Sequence, residues 1–330
     1  MAGRYRIFGA EISPYSVKVR SYFRYKGIPH EWIVRGPATQ EEYQKYAKIP
    51  IIPAVATPED EALQDSTPIL EAVEARYPEP PIHPKDPVLA FLSALLEEFG
   101  DEWGNKWMFH YRWARPADQR SAAERIAEGM LPDASQEQRE GAIAMITKRM
   151  LGRVWFVGSS EATAPLIEAS FQEGMRLLEA HLAGRPYLFG ARPVFGDFGL
   201  WGQIYNAWTD PTCKEILEAS APHGVAWVKR MLEPKAEGEL EAFEALAPTL
   251  MPFLERMVGR LFLPWSDANA KAIAAGDESF CVDLDGQPYE QKPQKYHAKS
   301  LKALRARYAA VPDTARLDPI LEEAGCLPWL

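Results

Sequence analysis

Ser13 is the first residue in this sequence whose type and position could serve chemistry. It begins the stretch SPYSVKVR, in which Pro14 and an apolar pattern with helical spacing follow it. A serine before a proline is typical of a helix N-cap, and a helix N-terminus presents free N–H groups and a partial positive charge. The Ser13 hydroxyl is therefore either a structural cap or a hydrogen-bond donor to an anion such as a thiolate. Ser16, one turn later, is a second candidate donor.

A second pair of interest, Asp65 and Ser66, stands at the start of another predicted helix. A serine hydroxyl and backbone N–H groups at a helix N-terminus suit a carboxylate, whereas an aspartate suits an ammonium group. The same two residue types also serve as simple helix caps. The sequence alone leaves both interpretations open.

The elements that must position these residues alternate between strand and helix. RYRIFGA alternates like a strand, and Tyr15, Val19 and Phe23 give the next run one apolar helical face, which ends at Gly27. The pattern then predicts a strand over 32–34, a short helix in TQEEYQKYAK, a hairpin over 54–57 and 61–64, and a capped helix after residue 65. The order βαβ then ββα predicts a small mixed sheet with helices packed against it.

From about residue 84 the strands nearly disappear and helical periods take over. The proline-rich stretch YPEPPIHPKDP lies between the two halves and is typical of a domain boundary. We therefore predict an α/β domain over residues 1–83 and an all-α domain over 84–232.

The remaining residues, 233–330, form an extension that we expect to pack on the helical domain. It contains a long amphipathic run, a strand pair around Asp285 and Gly286 with a hairpin signal, and the basic helical stretch YHAKSLKALRARYAAV. A lid or a dimer surface is the alternative role for this extension.

Composition and charge narrow the classes of function. The formal net charge is −9 and no Lys/Arg-rich block offsets it, which argues against a nucleic-acid partner. Cys213, Cys281 and Cys326 are widely spaced and form no CxxC pattern, so we expect neither a disulfide framework nor a metal site. No apolar run reaches the length of a membrane span, and the chain enters a strand without a signal peptide. We expect a cytoplasmic protein with no membrane partner.

Four stretches, in this order, resemble the glutathione transferase family. SPYSVKVR is similar to the N-terminal motif of its serine-type, tau-like classes, and IIPAV to the loop that carries a cis-proline before the third strand. LQDSTPILEAVEARYP resembles the Glu/Asp-Ser motif, and RPYLFGARPVFGDFGLWG resembles a helical segment of the second domain. The resemblance implies a thioredoxin-like α/β domain that binds glutathione, followed by an all-α domain. The long tail is similar to that of a bacterial subgroup.

The resemblance implies a role for the residues nearest the thiol. In serine-type members the hydroxyl at the position of Ser13 donates to the glutathione sulfur and favours the thiolate, with Ser16 as the fallback. The cis-proline corresponds to Pro53, and the backbone of Ile52 would pair with the cysteinyl part of glutathione. A proline at the start of a strand loses no ladder hydrogen bond, so this placement has no local cost.

The resemblance also assigns the two charged ends of glutathione. Asp65 would hold the α-ammonium of the γ-glutamyl group, and Ser66 its α-carboxylate. Lys48 would meet the glycyl carboxylate. A solvated lysine is the alternative for Lys48, because the loop over residues 50–53 is shorter than the usual family loop.

A cluster of aromatic residues is the candidate pocket for a second substrate. In the family, the helix that contains EWGNKWMFHYRW faces the cleft beside the thiol, so Trp103, Trp107, His110 and Tyr111 would line a hydrophobic electrophile site with Tyr15. Aromatic rings at helical spacing are also typical of a buried core. His110 has no second His or Cys at ligand spacing, so it is not a metal ligand on this pattern.

The resemblance implies an enzyme whose glutathione thiolate attacks a small hydrophobic electrophile, acting in detoxification as a homodimer and without a metal. Two alternatives stay open. One is a glutathione-dependent lyase or etherase that uses the same attack. The other is a non-catalytic protein that keeps the fold to bind ligands or a partner.

Overall fold

A four-stranded sheet in the first part of the chain carries the candidate residues. The computed structural model describes residues 3–330 and gives β1 Tyr5–Gly9, α1 Pro14–Tyr25, β2 His30–Val34, α2 Gln40–Tyr46, β3 Ala54–Ala56, β4 Ala62–Gln64 and α3 Ser66–Arg76. The strand order is β2-β1-β3-β4, with β1 and β2 parallel and the other pairs antiparallel. The predicted βαβ-ββα order is confirmed.

The strand register brings three chain segments to one edge of this sheet. Ala54, the first residue of β3, is paired with Phe8 near the end of β1 and with Gln64 at the end of β4. The chain after β1, the chain before β3 and the chain after β4 therefore meet at the same place. We call it the strand-end edge; it comprises residues 10–13, 48–53 and 65–66.

Helices cover both faces of the sheet. Ile7 and Val55 point into the main core together with Val17 of α1, whereas Phe8 packs on the opposite face against Tyr43 of α2. The Phe8 and Tyr43 ring centres are 6.1 Å apart in an edge-to-face arrangement. Because both faces are buried, β1 is apolar at nearly every position.

The second part of the chain is helical, as predicted. Its helices are α4 Pro87–Phe99, α5 Asn105–Ala114, α6 Pro116–Met130, α7 Gln136–Leu151, α8 Ala164–Leu182, α9 Phe195–Trp208, α10 Pro211–Ser220 and α11 Pro222–Arg230. A π-helical turn, Gly100–Gly104, joins α4 to α5. Helix α9 lies against the first turn of α1: a Cβ atom at Gly202 would be 2.7 Å from the carbonyl oxygen of Pro14. Only a glycine allows this approach, which fixes the start of α1 against the helical domain.

The extension contains both helices and a hairpin. Its elements are α12 Phe243–Phe253, a π-helical segment Leu254–Phe262, α13 Leu263–Ala275, β5 Phe280–Leu284, β6 Gln287–Gln291, α14 His297–Ala309 and α15 Asp318–Glu323. β5 and β6 pair antiparallel around Asp285 and Gly286, whose φ angles are 54° and 78°. The predicted hairpin and its turn are confirmed.

The extension contacts more of the molecule than the expected helical domain. Tyr308 of α14 packs on Phe91 of α4, with ring centres 5.7 Å apart. Arg307 of the same helix forms an ion pair with Glu71 of α3, which belongs to the sheet domain. The expectation that the extension packs on the helical domain was therefore incomplete, because α14 lies across both domains. Within residues 3–330, no helix is both long and apolar enough to cross a membrane.

Candidate glutathione site

The N-terminus of α1 holds Ser13 in the predicted capping position. Its backbone is extended (φ −99°, ψ 112°), and its Oγ accepts a hydrogen bond of 3.3 Å from the backbone N–H of Ser16. Among the described residues, the Ser13 hydroxyl proton has no acceptor and the backbone N–H of Tyr15 has no partner. Ser13 is half-buried. Capping uses a lone pair of the oxygen, so the same hydroxyl can still donate to an anion.

Ser16 is buried against the last residue of β1. Its side chain is fully buried, and its Oγ lies against β1, where a Cβ atom at Gly9 would be 3.0 Å from it. The Ser16 Oγ has no hydrogen-bond partner among residues 3–330. A buried hydroxyl facing a strand does not reach a ligand at the edge, so the geometry favours Ser13 over the fallback.

The loop between β1 and α1 is clamped to the helical domain. Arg20 donates two hydrogen bonds to the Glu11 carboxylate, at 2.6 and 2.8 Å, and Tyr205 of α9 donates a third at 2.6 Å. Arg112 of α5 donates to the carbonyl oxygen of Ile12 at 2.9 Å. Charge-assisted bonds of this kind hold a loop more firmly than neutral ones. These bonds fix the two residues before Ser13 and therefore the place of its hydroxyl group.

The peptide bond between Ile52 and Pro53 is cis, as expected, and it lies at the strand-end edge. The backbone N–H and C=O of Ile52 make no hydrogen bond with any other residue in the described range. Lys48 is exposed, and its side chain has no hydrogen-bond or ion-pair partner in the same range. The Ile52 backbone is thus open to a ligand, whereas the position of Lys48 fits the solvated alternative.

Gln64 holds the loop that carries Pro53. Its side-chain amide donates to the carbonyl oxygens of Ile49 (2.6 Å) and Ile51 (3.0 Å) and accepts from the Ile49 N–H (3.1 Å). The Tyr43 hydroxyl donates a further hydrogen bond to the Ile51 carbonyl at 2.8 Å. Because these bonds involve backbone atoms, they fix the loop whatever side chains it carries.

The N-terminus of α3 is built differently. Asp65 has φ 78° and ψ 131°, a region that a non-glycine residue rarely occupies. It makes no capping hydrogen bond; its Oδ2 instead accepts from the hydroxyl of Tyr296, in the extension. Ser66 is only 2% exposed, and its Oγ lies 3.5 Å from Lys18 Nζ and 3.5 Å from Asp101 Oδ2. Simple capping therefore does not explain either residue.

A buried ion-pair network lies beneath the first turn of α3. The Lys18 ammonium is fully buried and contacts Glu97 Oε1 at 2.5 Å, Asp101 Oδ2 at 2.7 Å and Thr67 Oγ1 at 3.1 Å. Burial raises the pKa of Asp101 to about 7, although the Lys18 charge acts in the opposite direction. Burial alone would lower the pKa of Lys18, but Asp101 and Glu97 together raise it above its usual value. Lys18 therefore stays charged and joins α1, α3 and the start of the helical domain.

The four rings of the predicted electrophile pocket lie in the core. Trp103, Trp107, His110 and Tyr111 are at most 3% exposed. Trp107 Nε1 donates to Ser170 Oγ at 2.8 Å in the interior of the helical domain. The structure does not bring these side chains to an open cleft, so the pocket predicted from them is not supported.

Two of the other rings have specific neighbours that explain their burial. Trp103 is covered by Trp265 and Tyr289 of the extension, with ring centres 6.0 and 6.1 Å away. His110 has Ser159 Oγ at 2.8 Å from its Nδ1 and Glu168 Oε1 at 3.0 Å from its Nε2, and burial lowers its pKa.

Tyr15 is the one predicted pocket residue that stays near the site. It is half-buried, and its hydroxyl donates to the backbone carbonyl oxygen of Asp101 at 2.9 Å. Burial raises the pKa of Tyr15 well above its usual value, and the nearby Glu102 and Asp101 charges act in the same direction. The phenol therefore remains protonated and joins α1 to the π-helical turn.

Several residues at the site are not among those predicted from the sequence. Glu97 and Asp101 stand four positions apart where the apolar run of α4 passes into an acidic stretch, which was a readable signal for a buried charged partner. Lys18, Gln64 and Tyr296 gave no such signal. Tyr296 and Asp65 are 231 positions apart, and no local pattern relates them. No group of three His, Cys, Asp or Glu side chains in the part of the chain that the structure describes is arranged to hold a metal ion.

Comparison with known proteins gives the same domain order. The family model of the glutathione S-transferase N-terminal domain matches residues 7–81, and that of the C-terminal domain matches residues 124–230, together more than half of the chain. A glutathione S-transferase of Triticum aestivum is 38% identical over 80 residues. That match spans 24% of this chain and 37% of the wheat protein.

Solved structures with a similar fold share little sequence with this chain. A glutathione S-transferase of Methylobacterium radiotolerans, in complex with glutathione sulfonate, is 19% identical, with 72% of this chain and 99% of that chain covered and a TM-score of 0.42. A β-etherase of Sphingobium is 17% identical, with 70% and 95% covered and a TM-score of 0.48. The sheet order, the helical second domain and the two domain matches lead to one conclusion: the chain belongs to the glutathione S-transferase family.

Proposed function

We propose that this protein is a glutathione-dependent enzyme in which the Ser13 hydroxyl stabilises the glutathione thiolate for attack on a small hydrophobic electrophile. The observation that carries the proposal is the strand-end edge. It gathers the free Ser13 hydroxyl proton, the open backbone of Ile52 and the N-terminus of α3 with Asp65 and Ser66. Each of these groups suits a different part of one tripeptide.

The α3 end suits the charged head of glutathione. The first-turn N–H groups of α3 and the Ser66 hydroxyl favour the α-carboxylate. The Asp65 carboxylate favours the α-ammonium. The backbone of Ile52 offers one donor and one acceptor to the cysteinyl peptide, as a neighbouring strand would.

The α1 end suits the sulfur. The thiol of bound glutathione gives its proton to solvent, and the thiolate accepts a hydrogen bond from Ser13 near the positive end of α1. A downward shift of one unit in the pKa of the thiol corresponds to about 1.4 kcal/mol, which is within the range of one charge-assisted hydrogen bond. The thiolate electron pair then forms the new bond to an electrophilic carbon, and the leaving group departs with its bonding pair.

The test is the thiolate absorbance of enzyme-bound glutathione, followed as a function of pH for the wild type and Ser13→Ala. The proposal expects a higher pKa for bound glutathione in the variant and lower turnover near neutral pH. Binding itself should change little, because the thiol is a small part of the ligand. Superimposable titration curves would remove the catalytic role of Ser13.

A matched control is Ser135→Ala. Ser135 caps α7 through the same contact, with its Oγ 3.3 Å from the backbone N–H of Gln138, and it does not lie at the strand-end edge. This variant loses a cap but should keep the wild-type titration of bound glutathione. A shift in the control as well would mean that loss of a cap, rather than loss of a thiolate donor, caused the change.

One observation favours a second candidate, a non-catalytic protein that binds glutathione. The rings expected to form an electrophile pocket are buried in the core. Retention on immobilised glutathione, followed by turnover of a chloronitrobenzene substrate, separates the two candidates: retention without turnover supports the binding protein. The expected homodimer, cytoplasmic location and detoxification role stay predictions.

A further inference from the structure

One residue of the extension lies at the α3 end of the site. Tyr296 comes directly before α14, is 47% exposed as a residue, and donates from its hydroxyl to Asp65 Oδ2. Burial of its hydroxyl and the Asp65 carboxylate raise the pKa of Tyr296 above its usual value. The hydroxyl therefore remains a donor to Asp65 at any physiological pH and keeps its oxygen lone pairs available.

Other contacts hold Tyr296 in place. His297 Nε2 lies 2.6 Å from Ser266 Oγ, and its Nδ1 lies 2.9 Å from Glu102 Oε2. Further along α14, Ser300 bonds Glu98 and Arg307 pairs with Glu71 of α3. The start of α14 is thus anchored to the helical domain, and its last turn to the sheet domain, by contacts that do not involve Asp65.

The polar groups around Tyr296 carry an excess of negative charge. Asp65 Oδ1 has no hydrogen-bond partner among the described residues, because Tyr296 bonds only Oδ2. Asp101 Oδ1 is buried and also without a partner in that range. Lys18 is the only cation in contact with Asp101 within residues 3–330, and it is shared with Glu97. Asp65 is half-buried, so its Oδ1 is open to a donor from a ligand, whereas the buried Asp101 Oδ1 lacks a donor altogether.

We propose that Tyr296 of the extension is a glutathione-binding residue, which fixes the Asp65 carboxylate and offers its own oxygen to the α-ammonium of the γ-glutamyl group. This inference rests on the proposed function. An ammonium carries three donors, and Asp65 Oδ1 and Tyr296 Oη supply two acceptors for it. The extension thereby completes the recognition of the amino group, and it determines specificity for ligands that carry one.

The experiment compares glutathione with glutaryl-cysteinyl-glycine, which lacks only the α-amino group, by calorimetric titration of the full chain. Tyr296→Phe removes one oxygen and keeps the ring. We expect the variant to bind glutathione about 10- to 150-fold more weakly, as for loss of one hydrogen bond to a charged group, and to bind the analogue as the wild type does. The matched control is Tyr308→Phe, since the Tyr308 hydroxyl bonds Asp318 within the extension, at 2.8 Å.

Each other outcome overturns the inference. Equal loss for both ligands, or no loss, would give Tyr296 a structural role only. Tighter glutathione binding by the variant would mean that the hydroxyl competes with the ammonium for Asp65. If the wild type binds neither ligand, the proposed function falls as well. If the wild type binds both ligands and the variant binds them equally well, the role of Tyr296 is refuted and the proposed function stands.

Discussion

The two helix N-termini at the strand-end edge both have a residue of a capping type at the N-cap, but only one of these side chains caps its helix. At α1, Ser13 caps its own helix in an ordinary extended conformation, with its Oγ 3.3 Å from the Ser16 N–H. At α3, Asp65 occupies the capping position with φ 78°, yet its side chain turns away to Tyr296. One side chain stabilises its helix, and the other does not.

The difference shows that the start of α3 is the helix end that costs the fold stability. A residue held in a sparsely populated backbone region, without the capping bond that would compensate it, persists only when its surroundings determine its position. For Asp65 those surroundings are the end of β4, the Lys18 network and the extension. Ser13 needs no such support. The helical domain holds the loop before α1, but the cap of α1 is a local bond, whereas at α3 the capping residue itself depends on tertiary contacts.

The largest expected effect comes from removing the cation below α3. Lys18→Met leaves Glu97 and Asp101 buried beside each other without a positive charge. We expect a loss of about 3–5 kcal/mol in the free energy of unfolding, measured by urea denaturation. A triple variant that also carries Glu97→Gln and Asp101→Asn should recover much of the loss. No recovery would mean that the lysine acts through packing of its alkyl chain instead.

A smaller effect concerns pH. Burial raises the folded-state pKa of Asp101 from its usual 3.8 to about 7. An acid whose pKa is raised on folding supports the folded state when protonated, so this contribution is present at low pH and is lost as pH rises from about 4 to about 7. Relative to Asp101→Asn, the wild type should lose up to a few kcal/mol of unfolding free energy across that range. Parallel pH profiles of the two proteins would contradict the assignment to Asp101.

The backbone of Asp65 allows a sharper comparison between the two ends. Asp65→Ala and Asp65→Gly remove the same carboxylate, but only glycine adopts φ 78° without strain. We expect the glycine variant to be about 1–2 kcal/mol more stable than the alanine variant in thermal unfolding. Both should bind glutathione more weakly than the wild type, by about 1–3 kcal/mol. Equal stability of the two variants would show that the backbone at residue 65 relaxes.

The smallest effect concerns Ser13. Ser13→Ala should lose about 1 kcal/mol of unfolding free energy, because one N–H of α1 loses its cap. Ser13→Asp is the matched variant: it restores a capping acceptor but places a negative charge beside the thiolate. It should recover the stability and still leave the thiol of bound glutathione harder to ionise than in the wild type. Recovery of both properties would show that capping alone is the role of Ser13.

Much of the fold was readable from the sequence because local chemistry specifies it. Alternation in RYRIFGA, the Ser-Pro start of α1, the hairpin over 54–57 and 61–64 and the Asp-Gly turn of the extension each predicted the observed element. Their positions in the chain then placed Ser13, Ile52, Pro53, Asp65 and Ser66 near one edge once the strand order was known.

Periodicity could not tell which face of a helix meets a cleft. Trp103, Trp107, His110 and Tyr111 have the spacing of a helix face, and this pattern is the same for rings that line a pocket and rings that fill the core. The structure buries them because α8 and the extension pack on that face. Whether a side chain is exposed or buried depends on its neighbours in space, and for these rings those neighbours are distant in sequence.

The sequence by itself determined the order of elements, the two-domain arrangement and the candidate groups for a tripeptide thiol. Tertiary structure alone decided which groups keep a free hydrogen-bonding atom. Lys18 can be buried because two carboxylates from the helical domain neutralise its charge. The Asp65 carboxylate accepts a hydrogen bond from Tyr296, which lies 231 positions later in the chain. Hydrogen bonding and desolvation depend on atoms brought together in space, and in this chain the fold brings them from three regions that share no local pattern.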